Sequence, residues 1–367
     1  MNILFVGEAI SGFGGIETVL KKVTHFLTND KEASNNYTLY FLCRDDRMEK
    51  NWLQGLNVVC HHSGIKISFF RRMSYVCALA KFIVQNQPDI VIAFDSPSCR
   101  FSSLAIKKSN SKVPVVSWVH YSLDHKKHSK QVLLANYHLA ISSGIKQQLL
   151  ERGVSADRIA LIFNPISRVT QVIPRPDNSQ PAVFIYVGRL KFEGQKRIKD
   201  MLDAFSGLNQ KWECHFIGDG SDRLKCQEYA HKQGVDENVH WHGWQNNPWG
   251  YIQNNIPAVT ALLLTSSFEG FGMVLAEAMS FGIYCVSSDC PSGPADIIKN
   301  NINGTLFKPM DYVELQSILK NIIDRNIHTP PNEIKHSISN LYDDVYYKNL
   351  KSTLIRIKNN KKLENSL

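Results

Sequence analysis

The sequence predicts an α/β protein built from two successive doubly wound, Rossmann-like halves. Short apolar runs alternate with amphipathic stretches almost from end to end, the pattern of βαβ units around a parallel sheet covered on both faces. The alternation stops once, around residues 164–181, in a polar stretch carrying Asn164, Pro165, Pro174, Pro176 and Pro181, and then restarts. The length of 367 residues also fits two domains, at about 150 residues per domain.

In the first half, Asn2–Val6 reads as a strand, followed by a glycine-rich turn and a helix from Ile16. Thr38–Leu42, Asp89–Phe94, Val113–Trp118 and Tyr137–Ile141 are further strand candidates, with helical spacing over Met73–Gln85 and Ser143–Glu151. The proline-marked stretch reads as an interdomain linker, which puts the first domain at 1–168 and the second at 169–340. The second half restarts with Ala182–Val187, a Gly/Lys-rich loop and a helix through Phe205. Strands follow at Glu213–Ile217, Val239–His242, Val259–Leu264 and Tyr284–Ser287. The polar, Tyr/Lys-rich tail is helix-compatible, and the 341–367 segment is expected to pack back on the first domain.

Composition excludes several classes. With 43% hydrophobic and 20% charged residues, the chain is not disordered, collagenous or coiled coil. No apolar run approaches the roughly 18 residues that a membrane-spanning helix needs. The start, MNILFVGEAISGFGG, lacks a basic leader and meets Glu8 early, so it does not read as a signal peptide and a cytoplasmic protein is expected. Lys+Arg 42 against Asp+Glu 33 gives a net charge of +9, which favours nucleic acid, phosphorylated metabolites or an acidic membrane surface without choosing among them. Nucleic-acid binding would need a basic stripe with stacking aromatics or a known module, and neither is present. The eight cysteines form no C-x-x-C pair, so they read as buried thiols of a reducing compartment rather than as a zinc or redox motif.

In open parallel sheets, ligands bind beyond the C-terminal ends of the strands, and two such domains facing each other would create a cleft. Three loops in such positions carry chemistry. The first runs Gly7 to Glu17 and holds Gly12, Gly14 and Gly15. Glu17 stands where a dinucleotide fingerprint requires its third glycine, which disfavours a nicotinamide or flavin cofactor. Taken alone, the loop reads equally well as a tight turn or as a phosphate contact. The second runs Gly188 to Arg197, with Arg189 at a strand end and Lys196 at a helix start; two fixed cations there would suit a diphosphate. Each cation alone reads as a solvated loop residue. The third runs Thr265 to Glu277. Glu269 follows a buried strand, Gly270 and Gly272 free the backbone, and Glu277 lies in a helix among the apolar residues Leu275, Ala276, Ala278 and Met279. A carboxylate suits a vicinal diol, because its two oxygens accept two hydroxyl protons.

Glu269 and Glu277 have E-x7-E spacing inside E-G-F-G-M-x-x-x-E, which resembles the signature of family 4 retaining glycosyltransferases with the GT-B fold. G-G-I-E at Gly14–Glu17, G-R-L at Gly188–Leu190, G-D-G at Gly218–Gly220 and S-G-P at Ser292–Pro294 agree in order, so the likeness covers nearly the whole chain. V-S-W-V-H-Y-S-L-D-H-K-K-H, A-I-S-S-G-I-K-Q-Q, G-R-L-K-F-E-G-Q-K-R and S-G-P-A-D-I-I further resemble the lipopolysaccharide-core galactosyltransferases of enteric bacteria. The resemblance implies two Rossmann-like domains facing across a cleft, the first binding acceptor and the second a nucleotide sugar. It implies transfer of galactose from UDP-galactose to a glucose of the core in α-1,6 linkage. Glucosyl- or N-acetylglucosaminyl transfer in another envelope polysaccharide, or a non-catalytic nucleotide-sugar-binding protein, are the alternatives.

At matching positions, the resemblance implies that Glu277 holds the ribose and that Glu269 contacts the donor hexose, with Gly270, Phe271, Gly272 and Met273 supplying backbone amides. Arg189 and Lys196 would neutralise the diphosphate, beside Gly218 and with Gly14 and Gly15 closing over it. Lys196 stands seven residues after Arg189, a longer gap than the family often shows. His120 would lie at the reacting sugar, and Asp95 occupies the equivalent edge of the preceding strand. No D-x-D stands beside a donor strand; Asp45-Asp46 falls in a polar loop and Asp343-Asp344 in the tail. No metal or other cofactor is therefore expected: Arg189, Lys196 and helix N-termini take the metal's place. The implied mechanism is same-face transfer without a covalent intermediate.

The acceptor surface reads from two basic clusters. Arg71 and Arg72 follow Phe69 and Phe70, and Lys126 and Lys127 follow His120. A phosphorylated lipopolysaccharide core at the inner leaflet would complement both, with the phenylalanines touching lipid, so the protein is expected to sit peripherally on the inner face of the inner membrane. A solvated face with partly buried aromatics explains the same residues equally well.

Overall fold

A computed structural model describes residues 1–10, 14–30, 35–45, 50–177, 179–324 and 327–364. The chain divides into two compact units, 1–165 with 344–367, and 166–343. In the first, β1 (Asn2–Glu8), α1 (Gly15–Asn29), β2 (Asn36–Cys43), β3 (Val58–His62), α2 (Ser68–Asn86), β4 (Ile90–Ala93), α3 (Ser96–Lys108), β5 (Val115–Ser117), β6 (Tyr137–Ala140), α4 (Ser143–Glu151) and β7 (Ile159–Leu161) follow one another. The strands pair in the order β3-β2-β1-β4-β5-β6-β7, and each neighbouring pair is parallel. The strands are apolar on both faces because helices cover both: Ile3, Leu4, Phe5 and Val6 are all buried. On one face, Leu4, Val6, Tyr40 and Leu42 pack with Tyr75, Val76, Leu79 and Ile83 of α2.

The second unit comprises β8 (Ala182–Val187), α5 (Ile198–Ser206), β9 (Trp212–Ile217), α6 (Arg223–Lys232), β10 (Val239–Gly243), α7 (Pro248–Asn255), β11 (Ala261–Leu264), α8 (Met273–Ser280), β12 (Tyr284–Ser288), α9 (Pro294–Ile297), β13 (Gly304–Phe307), α10 (Tyr312–Ile323) and α11 (Pro331–Ser337). Its six strands run β10-β9-β8-β11-β12-β13, again parallel. In each sheet the strand order reverses beside the first strand, between β1 and β4 and between β8 and β11. The loops that follow these four strands therefore flank the crevice where doubly wound sheets bind ligands.

Two features depart from the sequence reading. The proline-marked stretch is not a free linker: Ile173 donates its amide to the Phe281 carbonyl, Val259 to the Pro174 carbonyl, and Arg175 Nη2 to the Thr329 carbonyl. Residues 166–175 thus dock on the second unit, because buried Ile166 and Ile173 outweigh the local turn chemistry. Strands β3, β7 and β13 were not expected from the pattern. Val58–His62 carries two histidines, and the other two are only three and four residues long, too short to show a period. The tail forms α12 (Asp343–Glu364), whose residues from Asp344 onward belong to the first unit. Tyr347 stacks on Phe26 with centroids 4.1 Å apart and donates its hydroxyl to the Lys22 carbonyl, and Lys351 pairs with Asp30.

Candidate active site

In the second unit, the loop after β8 and the loop after β11 are sewn together through backbone groups. Ser267 donates its amide to the Gln195 carbonyl at 2.8 Å and its hydroxyl to the Gly194 carbonyl at 2.7 Å; Thr265 Oγ1 donates to the Lys196 carbonyl at 2.9 Å. This stitching brings Lys196 Nζ to 2.6 Å from Glu269 Oε1, with the two side chains only 14% and 10% exposed. Ser266 Oγ donates to the same carboxylate oxygen at 2.6 Å. The Lys196 ammonium is thus held by Glu269 at the strand edge, a pairing that the sequence reading did not foresee.

Glycines make the close approaches. A Cβ on Gly218 would lie 2.0 Å from the Gly188 carbonyl oxygen, so G-R-L and G-D-G pack backbone to backbone. Gly293, at φ +113°, puts its would-be Cβ 2.1 Å from the Phe271 carbonyl oxygen, so S-G-P supports the E-G-F-G loop. Gly270 lies in that loop, Phe271 is buried, and Gly272 takes a left-handed φ of +85° as the residue before Met273 opens α8. Glu277 lies farther along α8, half-buried, among Leu275, Ala276, Ala278 and Met279, which are all buried. Trp249 Nε1 donates to Glu277 Oε2 at 3.1 Å, and the Trp249 ring stacks on Phe281. Trp249 escaped the sequence reading; its signal was N-P-W-G, a helix start just past a strand. Arg189 is exposed at the end of β8. The hydroxyl of Tyr186 donates to the Arg189 carbonyl at 2.8 Å, and its ionisation is pushed up by burial and by Glu269 and pulled down by Arg189.

The first unit gathers its own set at the C-terminal edge. Asp95 is held there as a cap: Oδ1 accepts the Ser98 amide at 2.8 Å and Oδ2 the Glu8 amide at 2.7 Å. Its carboxyl is raised, chiefly by burial. The sequence reading passed over Glu8, whose own carboxyl is raised by burial and then by Asp95, and lowered by Arg72, Lys126 and Arg71. Those four expected residues therefore lie within electrostatic reach of one carboxylate. Arg71 also spends Nη1 on the Ile65 and Lys66 carbonyls, which fixes the turn before α2. Lys126 lies over the Tyr121 ring, 5.1 Å from its centroid, and Lys127 is exposed beside it. His120 packs edge-on against Trp118, 4.6 Å between centroids. Its Nε2 is buried with no hydrogen-bond partner among the described residues, and burial pushes its pKa down to about 3. His120 is therefore a neutral imidazole with an unmet hydrogen-bonding atom. Gly14 precedes α1 and Gly15 is its first residue; residues 11–13 of that loop, Gly12 among them, lie outside the described residues, as does Asp46.

The model of glycosyl transferases group 1 matches residues 171–336, and that of Glycosyltransferase Family 4 matches residues 13–168. The lipopolysaccharide 1,6-galactosyltransferase of Escherichia coli (strain K12) is 48% identical over 355 residues, covering 97% of this chain and 98% of the relative. The chain belongs to the family 4 glycosyltransferases. The solved structure of the lipopolysaccharide outer core galactosyltransferase WaaB, in its apo form, matches this glycosyltransferase with a TM-score of 0.91 at 46% identity, over 97% of this chain and 99% of that one. At 18% identity, Anabaena Alr3699/HepE, solved in complex with UDP and glucose, matches with a TM-score of 0.75 over 100% of this chain and 99% of that one, a likeness of fold. Two parallel-sheet α/β units in this order are the GT-B architecture. In this glycosyltransferase, the E-x7-E carboxylates and Lys196 follow from loops of one sheet, while His120, Arg72 and Lys126 belong to the other unit.

Proposed function

We propose that this glycosyltransferase moves galactose from UDP-galactose to a glucose of the lipopolysaccharide core, forming an α-1,6 linkage with retained configuration. The observation that carries the reading is the Lys196–Glu269 pair at 2.6 Å, set inside the full order of family motifs at the switch point of the second sheet. Glu269 and the amides of the Gly270–Met273 turn meet the hexose, and Glu277 meets the ribose. As the anomeric carbon–phosphate bond breaks, negative charge grows on the departing diphosphate; Arg189 and Lys196 stabilise it, and no metal is required. The acceptor hydroxyl attacks the same face, and its proton leaves with the diphosphate. Neutral His120 offers a hydrogen bond to a sugar hydroxyl rather than a charge.

The enzyme works in the cytoplasm, held peripherally on the inner face of the inner membrane. None of the described helices is long and apolar enough to cross a membrane. Ile65, Ile67, Phe69, Phe70 and Met73 are exposed at the start of α2, beside Arg71 and Arg72, a mixture that suits an anionic lipid surface.

The test incubates purified protein with UDP-galactose and core lipopolysaccharide that carries or lacks the receiving glucose, with and without excess chelator. Transfer to the first acceptor alone, undiminished by chelator, is expected. Transfer to the glucose-free acceptor overturns the acceptor assignment, and strict dependence on an added divalent ion overturns the metal-free chemistry.

A further inference from the structure

On β9 and β10, side chains alternate between core and surface. Cys214 and Phe216 are fully buried, whereas Glu213, His215, His240 and His242 point to the other face. In the parallel register, His240 is the direct partner of His215. The outward face therefore collects three imidazoles and a carboxylate on two neighbouring strands. Glu213 Oε2 lies 3.7 Å from His215 Nε2 and 3.8 Å from His240 Nε2. Ligands about 2.1 Å from a tetrahedral ion stand roughly 3.4 Å apart, so Glu213 is already near ligand spacing from both imidazoles, and all three ligand atoms lie within 4.8 Å of one another.

The surrounding bonds prepare the trio. His215 Nδ1 and His242 Nε2 are 2.9 Å apart, and Tyr251 Oη lies 2.9 Å from His242 Nδ1. Two tautomer patterns satisfy the chain, and in the one that metal binding selects, His215 Nδ1–H donates to His242 Nε2 and His242 Nδ1–H donates to the Tyr251 oxygen. That pattern leaves the lone pair of His215 Nε2 facing Glu213 and fixes the ring, as hydrogen bonds behind metal-bound histidines do.

We propose that Glu213, His215 and His240 form a site for a zinc-type divalent transition metal, with His242 and Tyr251 holding His215 in place. Two imidazoles and a carboxylate are donors that such ions favour over magnesium or calcium, and three protein ligands leave a position for water. The trio lies on β9 and β10, whereas the transfer residues follow β8 and β11, so the proposal stands apart from the reading of the donor site. The sequence hid it because Glu213 and His215 stand on one strand and His240 on the next, 25 positions later, with no C-x-x-C pair to mark them.

The test is calorimetric titration of the full chain with zinc chloride, together with visible spectra after cobalt chloride is added. One equivalent bound, tetrahedral cobalt absorption and a raised melting temperature are expected. Glu213→Gln and His240→Ala should abolish all three signals, and Tyr251→Phe should weaken binding roughly tenfold. Cys43, Cys60 and His62 form a second group of possible ligands, so Cys60→Ser serves as the control and should bind as the parent does. Metal-free melting temperatures show whether each variant is folded. The absence of binding by the parent, equal binding by folded Glu213→Gln, or loss in Cys60→Ser alone overturns the proposal.

Discussion

At the residue scale, the two cations of the donor loop differ in what holds them. Lys196 is enclosed and paired with Glu269, whereas Arg189 is exposed. Removing Lys196 leaves a poorly hydrated carboxylate without its partner, which costs on the order of 2 kcal/mol. Lys196→Ala is therefore expected to lower the melting temperature by roughly 5 °C and to reduce transfer, while Arg189→Ala leaves stability unchanged and slows transfer by roughly 10- to 100-fold. On the proposed ribose role, Glu277→Ala should raise the KM for donor with a smaller effect on kcat, since bonds to the ribose hydroxyls would be made before as well as during transfer. Thermal melts and donor-saturation kinetics on the three variants check this; equal melting of the two cation variants contradicts the pairing, and unchanged KM in Glu277→Ala contradicts the ribose role. The spacing of Glu269 and Glu277 was legible in the sequence, but the ion pair was not. It depends on Ser267 and Thr265 bonding to the backbone of a loop about seventy positions earlier.

At the element scale, the start of α2 is the segment whose chemistry is least explained by folding alone. Later residues of the helix, Tyr75, Val76, Leu79 and Ile83, pack into the core, while Phe69 and Phe70 are 67% and 56% exposed. Burying two such rings in an interface is worth about 2 kcal/mol or more, which Arg71 and Arg72 would supplement on anionic lipid. The double variant Phe69→Ser with Phe70→Ser is expected to lose at least roughly tenfold in binding to phosphatidylglycerol vesicles in flotation assays, with unchanged melting. Equal flotation of parent and variant removes the membrane role. The sequence placed the helix core correctly at Met73–Gln85 but began it five residues late, because the first turn has no core-facing residues to set the period.

At the scale of the whole molecule, acid should weaken the fold. His138, buried against Ser117 Oγ at 2.7 Å, is pushed down to about 4 by burial, as is His215, and His120 to about 3. An unfolded histidine takes up a proton near pH 6.5, so over the window from about 6.5 down to 4 the unfolded chain binds more protons than the folded one. Stability therefore rises with pH across that window and is lost on acidification. Glu8 and Asp95, both raised, work in the opposite direction. The urea midpoint at pH 5 should lie below that at pH 7.5, and His138→Gln should narrow the gap; coincident midpoints in the parent rule out the histidine effect.

The sequence by itself determined the two-fold α/β plan, the order of most strands and the loops that carry chemistry, because apolar periodicity and glycine placement are local properties. Only the tertiary structure decided that the proline stretch docks on the second unit, that Lys196 meets Glu269, that Asp95 caps α3, and that Glu213, His215 and His240 share a face. Those facts depend on sheet register and loop packing, which bring together residues tens of positions apart, and no local pattern records that distance.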